Sequence, residues 1–310
     1  MLLNIVIPCY NEEDVLRETN RQLSSLVNNW ISDSLLEDCR IVYVDDGSKD
    51  KTWEIIEELQ KSCPLVHGLK LAHNVGHQHA LWAGLMWSVD KCDAVVSIDA
   101  DLQHDIHAIK DMVLAYQEGY EVVYGVRNDR VTDSQFKKRT ALSFYRLMQK
   151  MGVDVIPNHA DFRLLGSNAL SALSQYPERN LFLRGMVRSL GFKEKIVHFE
   201  CHDRFAGESK YTLRKMMNFA LDGITSFSVQ PLHMIALLGF FVLILSFCAG
   251  IYALVAYFCG KTIPGWTSIL LSIWFLGGLQ LLCIGIIGEY IGKNYIEVKR
   301  RPRYIIEKEI

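Results

Sequence analysis

Two carboxylates stand one residue apart directly after a short apolar run, in Ser97-Ile98-Asp99-Ala100-Asp101-Leu102-Gln103. If the chain turns as it leaves a strand, Asp99 and Asp101 can converge on one divalent cation, and Gln103 can add a neutral oxygen ligand. Mg²⁺ and Mn²⁺ prefer a few carboxylates together with substrate phosphate oxygens. Such a cation offsets the negative charge of a departing diphosphate. The pattern predicts a metal site at these three residues, and the alternative is a pair of solvated loop acids.

A second acidic pair, Asp45 and Asp46, follows another apolar run. A carboxylate at the end of a strand can accept a hydrogen bond from the N–H of a nucleotide base, so Asp45 is a candidate ligand contact. Asp46, Ser48 and Asp50 can instead cap the helix that follows. Both interpretations can hold together.

Both acidic clusters lie in a stretch where short apolar runs alternate with amphipathic segments. This pattern is typical of an α/β domain with a parallel sheet covered on both faces. In such a sheet, ligands bind beyond the carboxyl ends of the strands, where the polar clusters stand. Neither a dinucleotide-binding glycine pattern nor a P-loop is present, so those two sites are not expected. The predicted strands are Asn4–Pro8, Arg40–Val44, His67–Leu71, Ala94–Ile98 and Glu121–Tyr124, and the predicted helices are Glu12–Asn29, Lys51–Lys61, His77–Val89, Ile106–Gln117 and Phe136–Met151.

The bulk composition excludes several classes of protein. The chain has 310 residues and a net charge of -2, so a nucleic-acid partner is not expected. Its eight cysteines form no Cys-x-x-Cys pair, and neither a zinc nor a thioredoxin-like site is indicated. The histidines His73, His77 and His79 are irregularly spaced for a zinc site. The hydrophobic excess is concentrated after Gly223.

That excess takes the form of two uncharged runs, Leu232–Phe258 and Thr262–Gly288. A hydrocarbon core of about 30 Å needs about 20 apolar residues in a helix, and each run exceeds that length. We predict a hairpin of two transmembrane helices with a turn around Pro264. The alternative is a pair of buried core helices.

The basic residues flank this hairpin, which predicts its orientation. Because Lys and Arg favour the cytoplasmic side, both flanks are expected in the cytoplasm. The apolar start of the chain is too short for a signal peptide, so the N-terminal domain is also expected there. Residues 211–230 read as an amphipathic helix along the headgroups, or as one packed on the globular domain. The basic residues are Arg204, Lys210, Arg214 and Lys215 before the first run, Lys261 between the runs, and Lys293, Lys299, Arg300, Arg301 and Arg303 after the second.

Four motifs in this order resemble those of glycosyltransferase family 2. More narrowly, the chain is similar to polyprenyl-phosphate glycosyltransferases, such as dolichyl-phosphate mannose synthase and the bacterial bactoprenol glucosyltransferases. The similarity runs along almost the whole chain, and the two C-terminal runs fit the bacterial group. The motifs are Ile5-Val6-Ile7-Pro8-Cys9-Tyr10-Asn11-Glu12-Glu13, Val44-Asp45-Asp46-Gly47-Ser48, Asn74-Val75-Gly76-His77-Gln78 and Asp99-Ala100-Asp101-Leu102-Gln103.

The resemblance implies a GT-A fold, inversion at the anomeric carbon, and dependence on Mg²⁺ or Mn²⁺. It also implies a role for residues in each part of the site. Arg204 and Lys210 would meet the diphosphate at the membrane, or simply attract anionic headgroups. The remaining implied roles are donor binding by Pro8, Tyr10, Asn11, Glu12, Asp45 and Asp99, metal binding by Asp99, Asp101 and Gln103, acceptor-phosphate binding by Arg127, Arg139 and Ser143, and catalysis by Asp161 and Asp101.

The role of Asp161 is open to a physical argument. The nucleophile would be a lipid phosphate, whose second pKa lies near 6, so it is mostly dianionic at pH 7. It needs little help from a general base, unlike a sugar hydroxyl. We therefore predict that Asp161 positions the donor sugar or an arginine more than it removes a proton.

The predicted organisation has four parts: a GT-A catalytic domain at 1–210, an interfacial helix at 211–230, a transmembrane hairpin at 231–290 and a basic cytoplasmic tail at 291–310. The predicted reaction transfers glucose from UDP-glucose to undecaprenyl phosphate at the bacterial inner membrane, for modification of cell-envelope glycans. The family implies a homotetramer. The alternative is a non-catalytic nucleotide-sugar-binding scaffold or a partner of a lipid flippase. A processive synthase is not favoured, because no Gln-x-x-Arg-Trp motif is present.

Overall fold

The structure, a computed structural model, describes residues 1–128, 159–200, 228–259 and 265–310, together with positions 151, 156 and 225. Within these residues the chain forms one mixed sheet flanked by helices, in the strand order β7-β5-β6-β4-β1-β2-β3-β8. The strands are β1 (Leu2–Cys9), β2 (Asp38–Asp45), β3 (Val66–Leu71), β4 (Ala94–Ser97), β5 (Val122–Arg127), β6 (His159–Gly166), β7 (Glu194–Phe199) and β8 (Ile306–Glu309). The helices are α1 (Leu16–Ser32), α2 (Thr52–Ser62), α3 (His77–Ser88), α4 (Ala108–Gln117), α5 (Ser167–Ser174), α6 (Leu183–Ser189), α7 (Gln230–Phe258) and α8 (Trp266–Lys299).

The centre of the sheet is parallel and buried on both faces. Strand β1 pairs in parallel with β2 and β4, and β2 pairs in parallel with β3. Every residue of β1 after Leu2 is buried, which is the reason that all of them except Asn4 are apolar. Asn4 donates from its side-chain amide to Ser88 Oγ at 3.0 Å. This arrangement confirms the predicted α/β class.

Two strands run against that direction, so the sheet is mixed and only its central part is the predicted parallel sheet. Strand β6 lies antiparallel between β4 and β5, and β8 lies antiparallel on β3. Neither strand was predicted from the sequence. All four residues of β8 are exposed, and three of them are charged, so no apolar pattern marks it.

The helices cover the sheet with their apolar faces. Helix α3 approaches β1 closely at Gly84, where an added Cβ would stand 2.3 Å from Cγ1 of Val6. Helix α1 begins at Leu16 rather than at the predicted Glu12. The backbone N–H of Glu12 donates to Thr52 Oγ1 at 2.9 Å, so the segment before α1 is bound to the start of α2.

Two described helices, α7 and α8, are long and apolar enough to cross a membrane. Large apolar side chains along them are exposed, including Phe247 at 70% and Phe275 at 71%. Helix α8 has 34 residues, so at a rise of 1.5 Å per residue it is about 51 Å long. It therefore exceeds a hydrocarbon core of about 30 Å.

The C-terminal segment, interpreted from the sequence as a basic cytoplasmic tail at 291–310, takes a different form. Helix α8 continues to Lys299, and β8 returns to the sheet as its edge strand. Beyond β8, Ile310 exchanges two backbone hydrogen bonds with Gly68, of 3.0 and 2.9 Å. The first strand, β1, and the last, β8, thus belong to the same sheet, with β2 and β3 between them.

The predicted interfacial helix at 211–230 lies almost entirely outside the described residues, and so does the predicted helix Phe136–Met151. Of the proposed phosphate-binding residues, Arg139, Ser143, Arg204 and Lys210 also lie outside them.

Candidate active site

The loops that follow β1 and β2 interlock at the carboxyl edge of the sheet. The backbone N–H of Asn11 donates to Ser48 Oγ at 3.0 Å, and Asn11 Oδ1 accepts from the N–H of Lys49 at 2.9 Å. Asn11 has a φ of 55°, in the left-handed region that asparagine tolerates better than most residues. The two loops therefore form one rigid rim.

This rim borders a cleft of about 150 Å³. The carboxylate of Asp46 accepts from the backbone N–H of Val75 at 2.7 Å and of Gly76 at 3.0 Å. It thus fixes the start of α3 against the sheet instead of capping α2. The residues around the cleft are Pro8, Cys9, Tyr10, Asp46, Asn74, Gly76, His77 and Ala80.

Asp45 lies at the end of β2 and is fully buried. One carboxylate oxygen accepts from the backbone N–H of Ser48 at 3.1 Å, and Oδ2 finds no hydrogen-bond partner among the described residues. Burial raises the pKa of the Asp45 carboxyl, and the hydrogen bond from Ser48 partly opposes that rise. A buried acceptor without a donor is costly, so an N–H that reached this oxygen would be bound favourably.

The Asp-x-Asp segment leaves β4 in a sharp turn, because Leu102 has a φ of 55°. Thr19 Oγ1 donates to the carbonyl of Ala100 at 2.7 Å and ties the segment to α1. Asp101 Oδ1 accepts from the backbone N–H of Gln103 at 3.2 Å. The chain thus makes the turn that a shared cation would require.

Asp99 stands between two histidines. Its Oδ1 lies 3.6 Å from His77 Nε2, and its Oδ2 lies 3.9 Å from His104 Nε2. The Asp99 side chain is 34% exposed, so solvent or a ligand can reach it. No group of three His, Cys, Asp or Glu side chains that could hold a metal occurs within the described ranges. A cation here would depend on Asp99, Asp101, the Gln103 amide and substrate oxygens.

Asp161 on β6 is buried among cations. Its carboxylate pairs with Arg163, and with Arg184 at 3.3 Å through two nitrogens, while His77 Nε2 lies 3.7 Å away. Burial alone would raise the pKa of the Asp161 carboxyl, but Arg184 and Arg163 outweigh it and hold that pKa well below its usual range. Asp161 is therefore ionised throughout the physiological pH range.

Arg127 reaches the same region from the end of β5. Its Nη2 lies 3.4 Å from Nε2 of His104, which is stacked on Phe162 with ring centres 5.2 Å apart. His104 is buried, and burial lowers the pKa of its imidazole. A neutral His104 can accept a hydrogen bond from Arg127 and so orient the guanidinium.

The structure brings several of the predicted site residues together. Asp99 and Asp161, which are far apart in sequence, both approach His77 within 4 Å. Sequence reasoning assigned no role to Arg163 or Arg184. Arg163 stands two residues from Asp161, on the same face of β6. This spacing would have indicated it only if β6 had been predicted. Arg184 is on the short helix α6, and no sequence pattern indicated it.

Comparison with known proteins agrees with this architecture. Residues 4–173 match the profile of glycosyl transferase family 2. This chain belongs to glycosyltransferase family 2, and it is an enzyme of the transferase class. It is 54% identical over 310 residues to the uncharacterized glycosyltransferase YkoT of Bacillus subtilis, covering 100% of this chain and 92% of that protein.

A second relative has a named activity. The SfII prophage-derived bactoprenol glucosyl transferase of Shigella flexneri is 40% identical over 313 residues, covering 99% of this chain and 98% of that protein. Among solved structures, the mannosyltransferase PcManGT from Pyrobaculum calidifontis, in complex with GDP-Man and Mn²⁺, aligns with a TM-score of 0.47 at 14% identity. That alignment covers 96% of this chain and 85% of the mannosyltransferase.

Proposed function

We propose that this enzyme transfers a sugar from a nucleotide donor to a polyprenyl phosphate with inversion at the anomeric carbon. UDP-glucose is the favoured donor and undecaprenyl phosphate the favoured acceptor. The full-length similarity to a bactoprenol glucosyl transferase supports this assignment. The structural observation that carries it is the approach of Asp99 and Asp161 to His77 beside the cleft, in a chain with two candidate membrane spans.

The donor base would bind at Asp45. The unpartnered, buried Oδ2 of this carboxylate would accept the imide N–H of a uracil, and Tyr10, which is 38% exposed, lies beside the cleft to cover the ring. Pro8, Asn11 and Glu12 shape the same rim. This arrangement gives the nucleotide a fixed orientation, with its diphosphate directed toward the Asp-x-Asp segment.

The donor diphosphate would meet Asp99, Asp101 and Gln103. These are hard oxygen ligands, and two carboxylates with one amide leave positions for phosphate oxygens, which is how Mg²⁺ and Mn²⁺ are usually bound at nucleotide sites. When bound, the cation neutralises charge on the leaving diphosphate. The residues hold the donor so that its anomeric carbon faces the acceptor.

The acceptor phosphate needs orientation rather than deprotonation. Asp161 is ionised and paired with Arg163 and Arg184, so it holds these guanidinium groups in place instead of collecting a proton. Arg127, oriented by His104, would contact the acceptor phosphate. By resemblance, Arg139, Ser143, Arg204 and Lys210 would complete the phosphate contacts.

The two apolar helices would anchor the enzyme in the bacterial inner membrane with its catalytic domain in the cytoplasm. Anchoring restricts the search for a lipid phosphate to two dimensions and raises its effective concentration. The product would be a polyprenyl-phosphate-linked sugar for cell-envelope glycans. A homotetramer, implied by the family resemblance, belongs to the same proposal.

The test uses the full chain purified in detergent with undecaprenyl phosphate and a panel of radiolabelled nucleotide sugars. We expect label from UDP-glucose to enter the organic phase, and EDTA to abolish the transfer. The activity of Asp99→Asn should fall to background, and Glu18→Gln, which alters only a carboxylate paired with Arg21 on the same helix, is the control. Failure of every nucleotide sugar to label the lipid would overturn the proposal.

A further inference from the structure

The last turn of α8 is bound to the catalytic domain through one carboxylate. Both oxygens of Glu297 accept from the backbone N–H of Arg179 at 2.8 Å. One of them also accepts from the backbone N–H of Asn180 at 2.8 Å and from its side-chain amide at 2.7 Å. Bonds to a charged acceptor are the strongest kind of protein hydrogen bond, so this contact is specific.

Two arginines reinforce the contact from both sides. The guanidinium of Arg179 donates to the carbonyl of Arg300 at 2.9 Å, and that of Arg303 donates to the carbonyl of Tyr176 at 2.6 Å. Arg303 also lies 4.3 Å from the ring centre of Trp82 on α3. We call residues 176–184 the coupling loop.

The other end of the coupling loop enters the active site. The backbone N–H of Leu183 donates to Gln78 Oε1 at 3.0 Å, and the Leu183 carbonyl accepts from Arg163 at 3.2 Å. The next residue, Arg184, pairs with Asp161. Only a few residues therefore separate the contacts of the membrane helix from the guanidinium that holds the active-site acid.

The length of α8 explains how a membrane helix reaches this loop. Its apolar part ends before Glu289, and Glu297 follows eight positions later. At 1.5 Å per residue, that interval is about 12 Å of helix. Glu297 thus stands clear of the apolar part of the span, at the level where the coupling loop meets it.

We propose that Glu297 is a positioning residue that links the second apolar helix to the active site through the coupling loop. By fixing the backbone at Arg179 and Asn180, it sets the start of α6 and keeps Arg184 on Asp161. The inference rests on the proposed function and deepens it: the site is fully ordered only while α8 is docked. Turnover should then depend on Glu297 even for an acceptor too short to enter a membrane.

The test compares Glu297→Ala, Glu297→Gln and Lys308→Ala with wild type, using UDP-glucose and a water-soluble, short-chain prenyl phosphate. Glu297→Ala should lower kcat by about tenfold with the donor KM nearly unchanged. Glu297→Gln keeps one acceptor oxygen and should be intermediate. Lys308→Ala, on β8, removes only an exposed ion pair with Glu57 of α2, and should behave as wild type.

A double-variant cycle separates positioning from general destabilisation. If Glu297 acts through Arg184, then Glu297→Ala should cost about twofold or less in an Arg184→Lys background. Hydrogen exchange provides a readout independent of activity: amides of 183–189 should exchange faster in Glu297→Ala and at the wild-type rate in Lys308→Ala.

A loss in the double variant equal to the product of the two single losses would overturn the coupling. Unchanged exchange at 183–189 in Glu297→Ala would do the same. Absence of transfer by the wild-type enzyme would instead count against the proposed function, and the exchange measurement would still decide whether Glu297 orders the start of α6.

Discussion

Asp161→Asn probes the electrostatic centre of the site. The change removes the negative charge that Arg163 and Arg184 share, and keeps the size of the side chain. Arg163 is 2% exposed and Arg184 is 21% exposed, so two cations would be left together with little access to water. We expect a large loss of stability and of turnover.

The magnitude follows from the burial of the pair. Breaking a buried ion pair by removing one partner costs about 3–5 kcal/mol, and the remaining amide oxygen favours the lower end. For a domain of this size, each kcal/mol lowers the melting temperature by about 2–4 °C. A loss of about 3 kcal/mol therefore corresponds to a fall of roughly 6–12 °C.

The assay is thermal unfolding of the full chain in detergent at several pH values. Because the folded pKa of Asp161 is lowered, its stabilising contribution is present above the unfolded pKa of about 3.9 and is lost as the pH falls below it. The difference between wild type and Asp161→Asn should thus be full at pH 7 and should shrink below about pH 4. The double variant Asp161→Asn/Arg163→Met should recover part of the loss, since it also removes a buried cation.

Steady-state kinetics provide a second test of Asp161→Asn. Since Asp161 is already ionised, the pH profile of kcat between pH 6 and 9 should keep its shape in Asp161→Asn while its height falls. If Asp161→Asn had the same melting temperature as the wild type, the ion-pair argument would be refuted. A variant whose profile loses an inflection, with both substrates still bound, would make Asp161 a general base.

Three further variants test other parts of the structure. Asp45→Asn removes a carboxyl whose pKa is raised by burial, so the ligand-free variant should melt above the wild type at neutral pH, and this gain should vanish below about pH 4. The same variant should bind UDP about tenfold or more weakly by calorimetry, because the acceptor for the base is lost. Asp101→Asn should raise the Mn²⁺ concentration needed for half-maximal activity by about tenfold or more, with no change in melting temperature in EDTA. Gly84→Ala should cost about 1–3 kcal/mol in unfolding free energy, because the new Cβ meets the side chain of Val6.

The parts of the fold that were predicted from sequence share one physical property. Strands β1 to β5 were placed to within about three residues at each end, because strands buried on both faces are mostly apolar. Strands β6, β7 and β8 were not predicted. In β8 the side chains face solvent, and only the backbone pairing with β3 defines the strand.

The residues of the active site likewise divide into those that the sequence predicted and those that it did not. Each acidic cluster was visible locally, since Asp45 and Asp99 follow apolar runs at the carboxyl edge of the sheet. The structure adds two details to these clusters. The chain turns at Leu102, directly after Asp101, and Oδ2 of Asp45 has no hydrogen-bond partner among the described residues. Arg184 was invisible, because nothing in its neighbourhood along the chain distinguishes it from a surface arginine.

The sequence by itself determined the class of the enzyme, the two apolar helices and the residues at the strand ends, because each depends on composition and spacing within a short segment. Only the tertiary structure decided which charges meet. The antiparallel register that sets Ser97 opposite Arg163 brings Asp161 beside Asp99, and the return of the chain after α8 brings Glu297 to the loop before Arg184. Contacts between residues so distant in sequence depend on the packing of the whole sheet, which no local pattern encodes.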